Sequence, residues 1–554
     1  MIRWIAIAVL AILSALPARA QAPPMGINMS HLRDWSSSQP FLDVMKTARR
    51  WIGHRPGQWG GMSYDELVAM GVLDDDGWPV RIPSELSSVG TVILTDLPEG
   101  ADIYAGRYVL RFEGTGIVEV TGRATNKRYG KNEVSFDFTP GPGPVEIRIQ
   151  RSDRRGTGDY VRNITVLRED RVALFDEGAT FNPDWTGMLA GFEVLRFMNW
   201  TLTNDSQASD WAARARATDF SYTRHGVPYE VMLKLSDLIG ADPWFSIPHL
   251  ADDGYVNGFC TLMRDRMSPD RKVYVEYSNE VWNWQFRQAE WAGEQAEARW
   301  GARDQSTQFY GLRAAQVARA CREVFGPQAE TRLVNVIATQ TGWLGLEQGI
   351  LNAPLWQAEA AGNAPPYQAF DAYAISGYFG TLGTESMMPQ VRRWLTESRE
   401  AAEAQAAAQG LSAAELEAYV ATHRFDLAVT RAVEVLETGG EGSLSDLAGR
   451  VFPYHAGVAR DYGLDLIMYE GGTHVVGLGS SVEDDEITAF FTYLNYTPEM
   501  GALYTRLVTD YRAAGGQLFN HYSDVLVPGK WGSWGAMRYL GDDNPRWRAL
   551  EAFK

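Results

Sequence analysis

The pattern of apolar residues predicts a repeated alternation of strands and helices over most of the chain. After residue 182, short apolar runs alternate with longer segments of helical periodicity, and a similar run lies at residues 25–29. The expected strands are residues 25–29, 193–200, 242–249, 272–280, 332–338, 370–378, 464–470 and 517–522. Repeated βα units of this number predict an α/β fold, a (β/α)8 TIM barrel with its helices outside.

Two segments interrupt this alternation. Residues 77–169 show period-two alternation with glycine and proline turns, which predicts an inserted β-sandwich domain. Residues 385–445 are rich in alanine and glutamate and predict a helical insertion after the sixth strand, either a solvated decoration or a lid. We therefore expect residues 23–76 and 170–554 to form the barrel, with a helix at residues 41–51.

The first twenty residues have the features of an export signal. Arg3 precedes an apolar run at residues 4–16, and the small-x-small sequence at residues 18–20 fits a cleavage site. The run is shorter than a comfortable membrane span, and no later segment is apolar enough to cross a bilayer. We expect a signal peptide at residues 1–20 and a secreted or periplasmic product.

The composition of this chain limits the classes of partner that we expect it to bind. Its formal net charge of -18 repels nucleic acid and anionic lipid, and it suits a neutral substrate. The 8 histidines show no metal-ligand spacing and no dinucleotide fingerprint is present, so we expect neither a metal nor a cofactor. Cys260 and Cys321 lie in predicted helices, where a disulfide and two buried thiols fit equally well. The sequence does not indicate an oligomeric state.

Two carboxylates stand at the ends of predicted barrel strands. Glu280 ends the fourth strand and Glu470 ends the seventh, and barrel enzymes work at this end of their strands. Strands four and seven face each other across a barrel, so the two carboxylates should converge. Glycosidic cleavage needs such a pair, about 5–5.5 Å apart in retaining enzymes and wider in inverting ones. The sequence therefore predicts a glycoside hydrolase.

The residues around Glu280 resemble a known signature. Residues 276–283 read Glu-Tyr-Ser-Asn-Glu-Val-Trp-Asn, which is similar to the Glu-x-x-Asn-Glu pattern of the clan A glycoside hydrolases. The resemblance covers residues 25–51 and residue 182 to the end, and it does not identify one family within the clan. It implies a retaining TIM-barrel enzyme with Glu280 as general acid/base and Glu470 as nucleophile.

The same resemblance implies roles for three further residues. Asn279 corresponds to the residue that hydrogen-bonds the sugar 2-OH, and Tyr378 to the tyrosine that hydrogen-bonds the nucleophile. Arg196 corresponds to the arginine that keeps the nucleophile ionised through its charge. Glu276 shares the inward face with Glu280 but lies one layer deeper, so we interpret it as structural.

Other residues at or just after strand ends are weaker candidates for sugar binding. Each of them fits packing about as well as it fits contact with substrate. They are His249, Asn199, Trp200, Trp282, Trp284, His521, Tyr522, Trp531 and Trp534, together with Asp34 and Trp35 after the first strand.

The function predicted from the sequence is hydrolysis of a β-linked oligo- or polysaccharide with retention of configuration. One alternative is a non-catalytic carbohydrate-binding protein on a degenerate barrel, and another is a transglycosylase with the same residues. The inserted sandwich either binds carbohydrate too or only supports the barrel.

Overall fold

The computed structural model describes residues 23–554, so the predicted signal peptide lies outside the described residues. Eight parallel strands form a closed barrel in which the last strand pairs with the first. This confirms the predicted fold. Barrel strands one to eight are Met25–Asn28, Val194–Arg196, Asp242–Ile247, Val273–Tyr277, Leu333–Ala338, Ala372–Phe379, Asp465–Thr473 and Phe519–His521.

Helices cover the outside of the barrel, and the longer ones bury an apolar face. The helix Tyr229–Ile239 shows how they end, because Gly240 takes a left-handed conformation with φ 78° that stops the helix before strand three. The α-helices outside the inserted segments are Pro183–Leu189, Tyr229–Ile239, Asp253–Arg266, Arg287–Trp300, Ser306–Phe325, Ala329–Arg332, Leu346–Asn352, Pro354–Glu359, Leu444–Asp446, Phe452–Tyr462, Asp485–Leu494, Pro498–Ala513 and Pro545–Glu551.

A disulfide joins two neighbouring helices of this outer layer. Cys260 on Asp253–Arg266 and Cys321 on Ser306–Phe325 are bonded, with their Cα atoms 5.3 Å apart. Both side chains are fully buried. Of the two states that the sequence left open, the structure contains the disulfide.

The inserted segment forms two antiparallel sheets with buried apolar side chains. One sheet has the strand order Arg162–Arg168, Gly106–Glu113, Glu133–Phe138 and Thr125–Gly130. The other has the order Gly61–Met62, Ile52–His54, Ser88–Ile93, Val145–Ser152 and Gly116–Gly122. The second sheet therefore includes strands that precede residue 77. Short α-helices at Tyr64–Ala69 and Val172–Asp176 flank the two sheets.

The helix predicted at residues 41–51 is wrong except for one turn. Only Val44–Thr47 is helical, as a 3-10 helix capped by the Asp43 side chain. Beyond it, Trp51 is fully buried against Trp78 and Phe220, and the chain continues directly into a sandwich strand. The apolar residues that suggested a helix face are buried between the barrel and the sandwich.

The loop after barrel strand one joins the barrel to the sandwich. Asp34 is buried, and both of its carboxylate oxygens accept hydrogen bonds from Arg49, at 3.0 and 2.7 Å. Thr95 donates a further hydrogen bond of 2.5 Å to Asp34. Asp34 thus holds the two parts together, and its oxygens are not free for sugar hydroxyls.

The helical insertion after strand six packs on the outside of the barrel. Its helices are Met388–Ala408, Ala413–His423 and Asp426–Thr438. Arg392 and Arg399 form ion pairs with Asp484 and Glu486 at the start of the helix Asp485–Leu494. These contacts favour the outer decoration over the lid. Between residues 23 and 554, no helix is both long and apolar enough for a membrane span.

Candidate active site

Glu470 is buried at the C-terminal end of the barrel between two hydrogen-bond donors. Arg196 on strand two donates to Glu470 Oε1 at 2.7 Å, and Tyr378 on strand six donates to Oε2 at 2.9 Å. Both predicted partners therefore contact the same carboxylate, one through each oxygen. A donor on each oxygen fixes the plane of this carboxylate.

Arg196 also links Glu470 to the polar residues beneath it. The fully buried guanidinium donates to Glu276 at 2.9 Å and to Asn28 at 3.0 Å. Glu276 further accepts hydrogen bonds from Trp244 Nε1 at 3.0 Å and from Ser246 at 3.1 Å. Glu276 is thus buried, and its Oε2 is held by three donor side chains, which agrees with the structural role expected for it.

Glu280 lies just past the end of strand four and is half-buried. Its carboxylate accepts hydrogen bonds from Tyr469 at 2.9 Å and from Asn283 at 3.0 Å. Both donors are uncharged, whereas Glu470 is bound by a cation. The backbone of Glu280 has φ 43°, a left-handed conformation that costs free energy in a residue with a side chain. The turn holds this carboxyl over the mouth of the barrel.

A bulge in strand seven brings Tyr469 to the same face as Glu470. The pairing of strands six and seven passes from Met468 to Glu470 and skips Tyr469. A bulge of this kind redirects the side chains that follow it. Without it, the alternation of a strand would direct Tyr469 away from Glu280. The bulge thus places the Tyr469 hydroxyl where it donates a hydrogen bond to Glu280.

Asn279 connects the two carboxylates to the loop after strand two. Its side-chain oxygen accepts a hydrogen bond from Arg196 at 2.9 Å, and its amide nitrogen donates to Asn204 at 3.1 Å. Gln288 donates to the same oxygen of Asn204 at 2.8 Å. These bonds set the orientation of the Asn279 amide without substrate.

Burial dominates the ionisation of Glu470. Removal from water raises the pKa of this carboxyl to about 7, because the charged form is disfavoured in the interior. The charge of Arg196 and the hydrogen bond from Tyr378 lower the pKa, while the charge of Glu280 raises it. Arg196 therefore opposes the rise but does not cancel it.

This pKa predicts the acidic limb of the pH profile. If ionised Glu470 is the attacking group, kcat/KM should fall about tenfold per pH unit below about pH 7, because protonation removes the attacking lone pair. The measurement is a pH-rate profile on an aryl glycoside, with circular dichroism to show that the fold persists. A profile that stays flat from pH 7 down to about pH 5 would contradict the prediction.

Exposed tryptophans surround the mouth of the barrel on opposite sides. Trp35 follows strand one and Trp531 follows strand eight, while Trp284 follows strand four and Trp343 follows strand five. Strands one and eight lie opposite strands four and five in the closed barrel. Trp531 is 69% exposed, so its indole face is open to a ligand. Indole faces at both edges suit an extended sugar chain.

Trp534 and Trp282 line the site from within. Trp534 meets Tyr378 edge to face at 5.7 Å and therefore lies beside the nucleophile pair. Trp282 is buried and packs against Tyr469 at 6.4 Å between ring centres. Trp282 thus supports the tyrosine that binds Glu280 and does not present an open face.

Three predicted sugar-binding residues are buried among other side chains. Trp200 is 2% exposed and stacks on Trp185 at 5.7 Å, so it has no face for a sugar. His521 is fully buried, its pKa is lowered to about 3 by that burial, and its Nδ1 lies 3.1 Å from the Gly471 carbonyl oxygen. Asn199 donates a hydrogen bond of 2.8 Å to the Met29 carbonyl oxygen.

His249 is also buried and lies apart from the hydrogen bonds that surround the two carboxylates. Its ring packs edge to face on Trp291 at 5.6 Å, and its carbonyl oxygen accepts a hydrogen bond from Tyr277 at 2.7 Å. Burial lowers its pKa to about 4, so it is uncharged at neutral pH. Its Nδ1 is buried and has no hydrogen-bond partner among the described residues, so a role in sugar binding stays a prediction.

Sequence reasoning missed Tyr469, Asn28 and Asn204. Asn28 ends strand one and could have been found by the same search of strand ends that found Glu280. Asn204 lies eight residues past strand two, in a loop whose path the sequence does not show. In the part of the chain that the structure describes, no three His, Cys, Asp or Glu side chains form a group suited to a metal ion.

Comparison with solved structures finds low similarity to several enzymes. A family 51 α-L-arabinofuranosidase from Bifidobacterium longum is 11% identical, over 67% of this chain and 67% of that chain, with a TM-score of 0.36. An exo-β-1,4-mannosidase from Opitutaceae bacterium strain TAV5 is 11% identical, over 66% and 53%, with a TM-score of 0.33. An endo-1,4-β-D-xylanase with a CBM22 module from Clostridium thermocellum is 8% identical, over 93% and 96%, with a TM-score of 0.32.

Sequence comparison adds no relative to these structures. No protein-family profile matches the chain, and no curated protein is similar to it. The similar solved structures are glycoside hydrolases, but similarity at this level carries no argument about what this chain acts on.

Proposed function

We propose that this chain is a retaining glycoside hydrolase that cleaves a β-linked oligo- or polysaccharide. The observation that carries the proposal is the different environment of two carboxylates at one barrel mouth. Glu470 is buried against a cation, and Glu280 is half-buried against neutral donors. Two carboxyl groups in unlike environments are what acid and nucleophile roles require.

The proposed reaction has two steps. Glu470 attacks the anomeric carbon while protonated Glu280 gives its proton to the departing glycosidic oxygen, so a glycosyl ester forms and the aglycone leaves. Glu280, now ionised, removes a proton from water, and the water oxygen displaces Glu470 from the anomeric carbon. Two inversions give a product with the configuration of the substrate. Asn279 is suited to hydrogen-bond the sugar 2-OH through its amide.

Two alternative functions, a non-catalytic binding protein and a transglycosylase, would each give a different experimental result from a hydrolase. A non-catalytic binding protein would need neither Arg196 beneath Glu470 nor Tyr378 beside it, and would release no product from any glycoside. A transglycosylase would use the same residues but transfer the glycosyl group to an added sugar in preference to water. Product analysis at high acceptor concentration distinguishes it from a hydrolase.

The direct test is a substrate screen with a matched inactive variant. The chain is incubated with soluble hydroxyethylcellulose, galactan, mannan, xylan and mixed-linkage β-glucan, and with the corresponding aryl β-glycosides. We expect reducing ends or aryl alcohol from at least one substrate, and none from Glu470→Ala. Absence of product from every substrate would contradict the proposal.

We further propose export to a secreted or periplasmic location, which N-terminal sequencing of the mature protein would test.

A further inference from the structure

Three neighbouring hollows, each of which shares lining residues with the next, lie between the loop after strand two and the five-stranded sheet. The first, about 550 Å³, lies beside Asn204 in the loop after strand two. The second, about 560 Å³, borders Trp35 and shares Leu202 and Arg50 with the first. The third, about 430 Å³, lies on the five-stranded sheet and shares Arg50 with the second. We call this series of three adjacent hollows the sandwich groove.

One end of the sandwich groove begins at the proposed active site. Asn204 lines the first hollow and accepts a hydrogen bond from Asn279, the residue next to Glu280. The middle hollow borders Trp35, whose ring is covered on one side by the Arg49 guanidinium at 5.7 Å. The sandwich groove therefore runs from a residue that contacts Asn279 to the five-stranded sheet.

The far end of the groove presents a fixed indole to solvent. Trp59 is 59% exposed, yet its Nε1 donates a hydrogen bond of 2.8 Å to Glu146. Glu146 is itself held by Arg148 at 2.7 Å and by Thr121 at 3.0 Å. An exposed tryptophan that is anchored in this way loses little conformational entropy when a ligand stacks on it.

Three glycines border the hollow beside Trp59, and at Gly60 the position of an absent side chain faces open space. The hollow is bordered by the backbones of Gly60, Gly61 and Gly90, with Met62 and Ile52 as its apolar wall. Gly60 has φ 75° and donates its N–H to His54 at 2.9 Å, which turns the loop so that Trp59 stands above the sheet. The result is an indole face over a flat apolar floor with cationic donors at the rim.

We propose that the sandwich groove binds a further stretch of the same neutral polysaccharide that occupies the barrel mouth. Sugar rings offer an apolar face to an indole and hydroxyls to the Arg49 and Arg50 guanidiniums. The contact between Asn204, which lines the first hollow, and Asn279 favours the substrate chain over a separate partner. The lining carries both cations and carboxylates, with Arg49 and Arg50 beside Asp34 and Glu146, which suits a polymer without a strong charge. This inference rests on the proposed function and extends it to substrate length.

The test compares Trp59→Ala with Tyr129→Ala, an exposed aromatic substitution on the other sheet. Binding is measured by affinity electrophoresis in gels that contain each of the five polysaccharides, with Glu470→Gln in all variants to prevent hydrolysis. We expect Trp59→Ala to weaken retardation about tenfold and Tyr129→Ala to leave it unchanged. In the active background, kcat/KM of Trp59→Ala on an aryl glycoside should equal that of the unsubstituted protein.

The outcomes separate this inference from the proposed function. The proposed binding role of the groove is overturned if Trp59→Ala is retarded as strongly as the parent chain, or if no polysaccharide retards the parent chain. In either case, cleavage of an aryl glycoside still tests the proposed hydrolase activity independently. An equal loss on the aryl glycoside also overturns the binding role, because Trp59 would then act through the fold. Retardation that depends on Trp59 in a chain that cleaves nothing supports the groove and refutes the hydrolase.

Discussion

Replacement of Glu470 by alanine should lower turnover of every glycoside by about 10⁵-fold, because no covalent intermediate can form without the attacking carboxylate. The effect should not depend on the leaving group. The buried carboxylate between Arg196 and Tyr378 is the structural basis of this expectation. The measurement is kcat on one aryl glycoside and one oligosaccharide that the unsubstituted protein cleaves.

Glu280→Ala should behave differently on the two substrates. Loss of the proton donor should slow cleavage of the oligosaccharide by about 10²–10⁴-fold, because a sugar is a poor leaving group without protonation. An activated aryl group departs unaided, so the glycosyl-enzyme intermediate should accumulate. Azide needs no general base, and it should restore turnover and give a glycosyl azide with the configuration of the substrate.

The control for both variants is Glu290→Ala, which removes an exposed carboxylate on the helix that follows Glu280. It should retain full activity. Azide rescue of Glu470→Ala to a product of inverted configuration, with no rescue of Glu280→Ala, would show that the two roles are exchanged. Near-normal activity in either variant would place the site elsewhere.

Replacement of Arg196 by methionine should affect both activity and folding. The variant leaves Glu276 and Glu470 buried without their cation, which should lower the free energy of unfolding by about 3–5 kcal/mol. Because Arg196 lowers the pKa of Glu470, its loss should move the acidic limb of kcat/KM to higher pH. Chemical denaturation and a pH-rate profile measure the two effects.

Two milder variants separate charge from packing at this position. Arg196→Lys keeps the charge but cannot make all the hydrogen bonds, so its acidic limb should move less than that of Arg196→Met. Tyr378→Phe removes only the hydrogen bond to Glu470 Oε2 and should cost about 1 kcal/mol of stability. An unchanged acidic limb in Arg196→Met would show that the guanidinium does not control the ionisation of Glu470.

The barrel and its two carboxylates were accessible from sequence because the relevant pattern is local. Each barrel strand is a short apolar run that is covered by helices, and Glu280 and Glu470 are the polar residues where two such runs end. Partner residues on other strands, such as Arg196 and Tyr378, came from the resemblance to a known signature. The observed hydrogen bonds give these two residues the contacts that the resemblance implied.

What the sequence did not predict depends on contacts between distant segments. A bulge in strand seven turns Tyr469 toward Glu280, whereas the simple alternation of a strand would assign that residue to the opposite face. Trp200 and Trp531 both follow strand ends, yet Trp200 is buried and Trp531 is exposed. Only the path of the surrounding loops distinguishes them. The same holds for Trp51, which reads as a helix residue and is buried where the two parts meet.

Covalent trapping tests the central claim most directly, namely that Glu470 attacks the anomeric carbon. A 2-deoxy-2-fluoro version of the cleaved aryl glycoside slows the second step and allows the glycosyl-enzyme to accumulate. After protease digestion, mass spectrometry should find the fluorosugar on the peptide that contains Glu470 and none on the peptide that contains Glu280. Label on Glu280, or no label with a product of inverted configuration, would contradict the account.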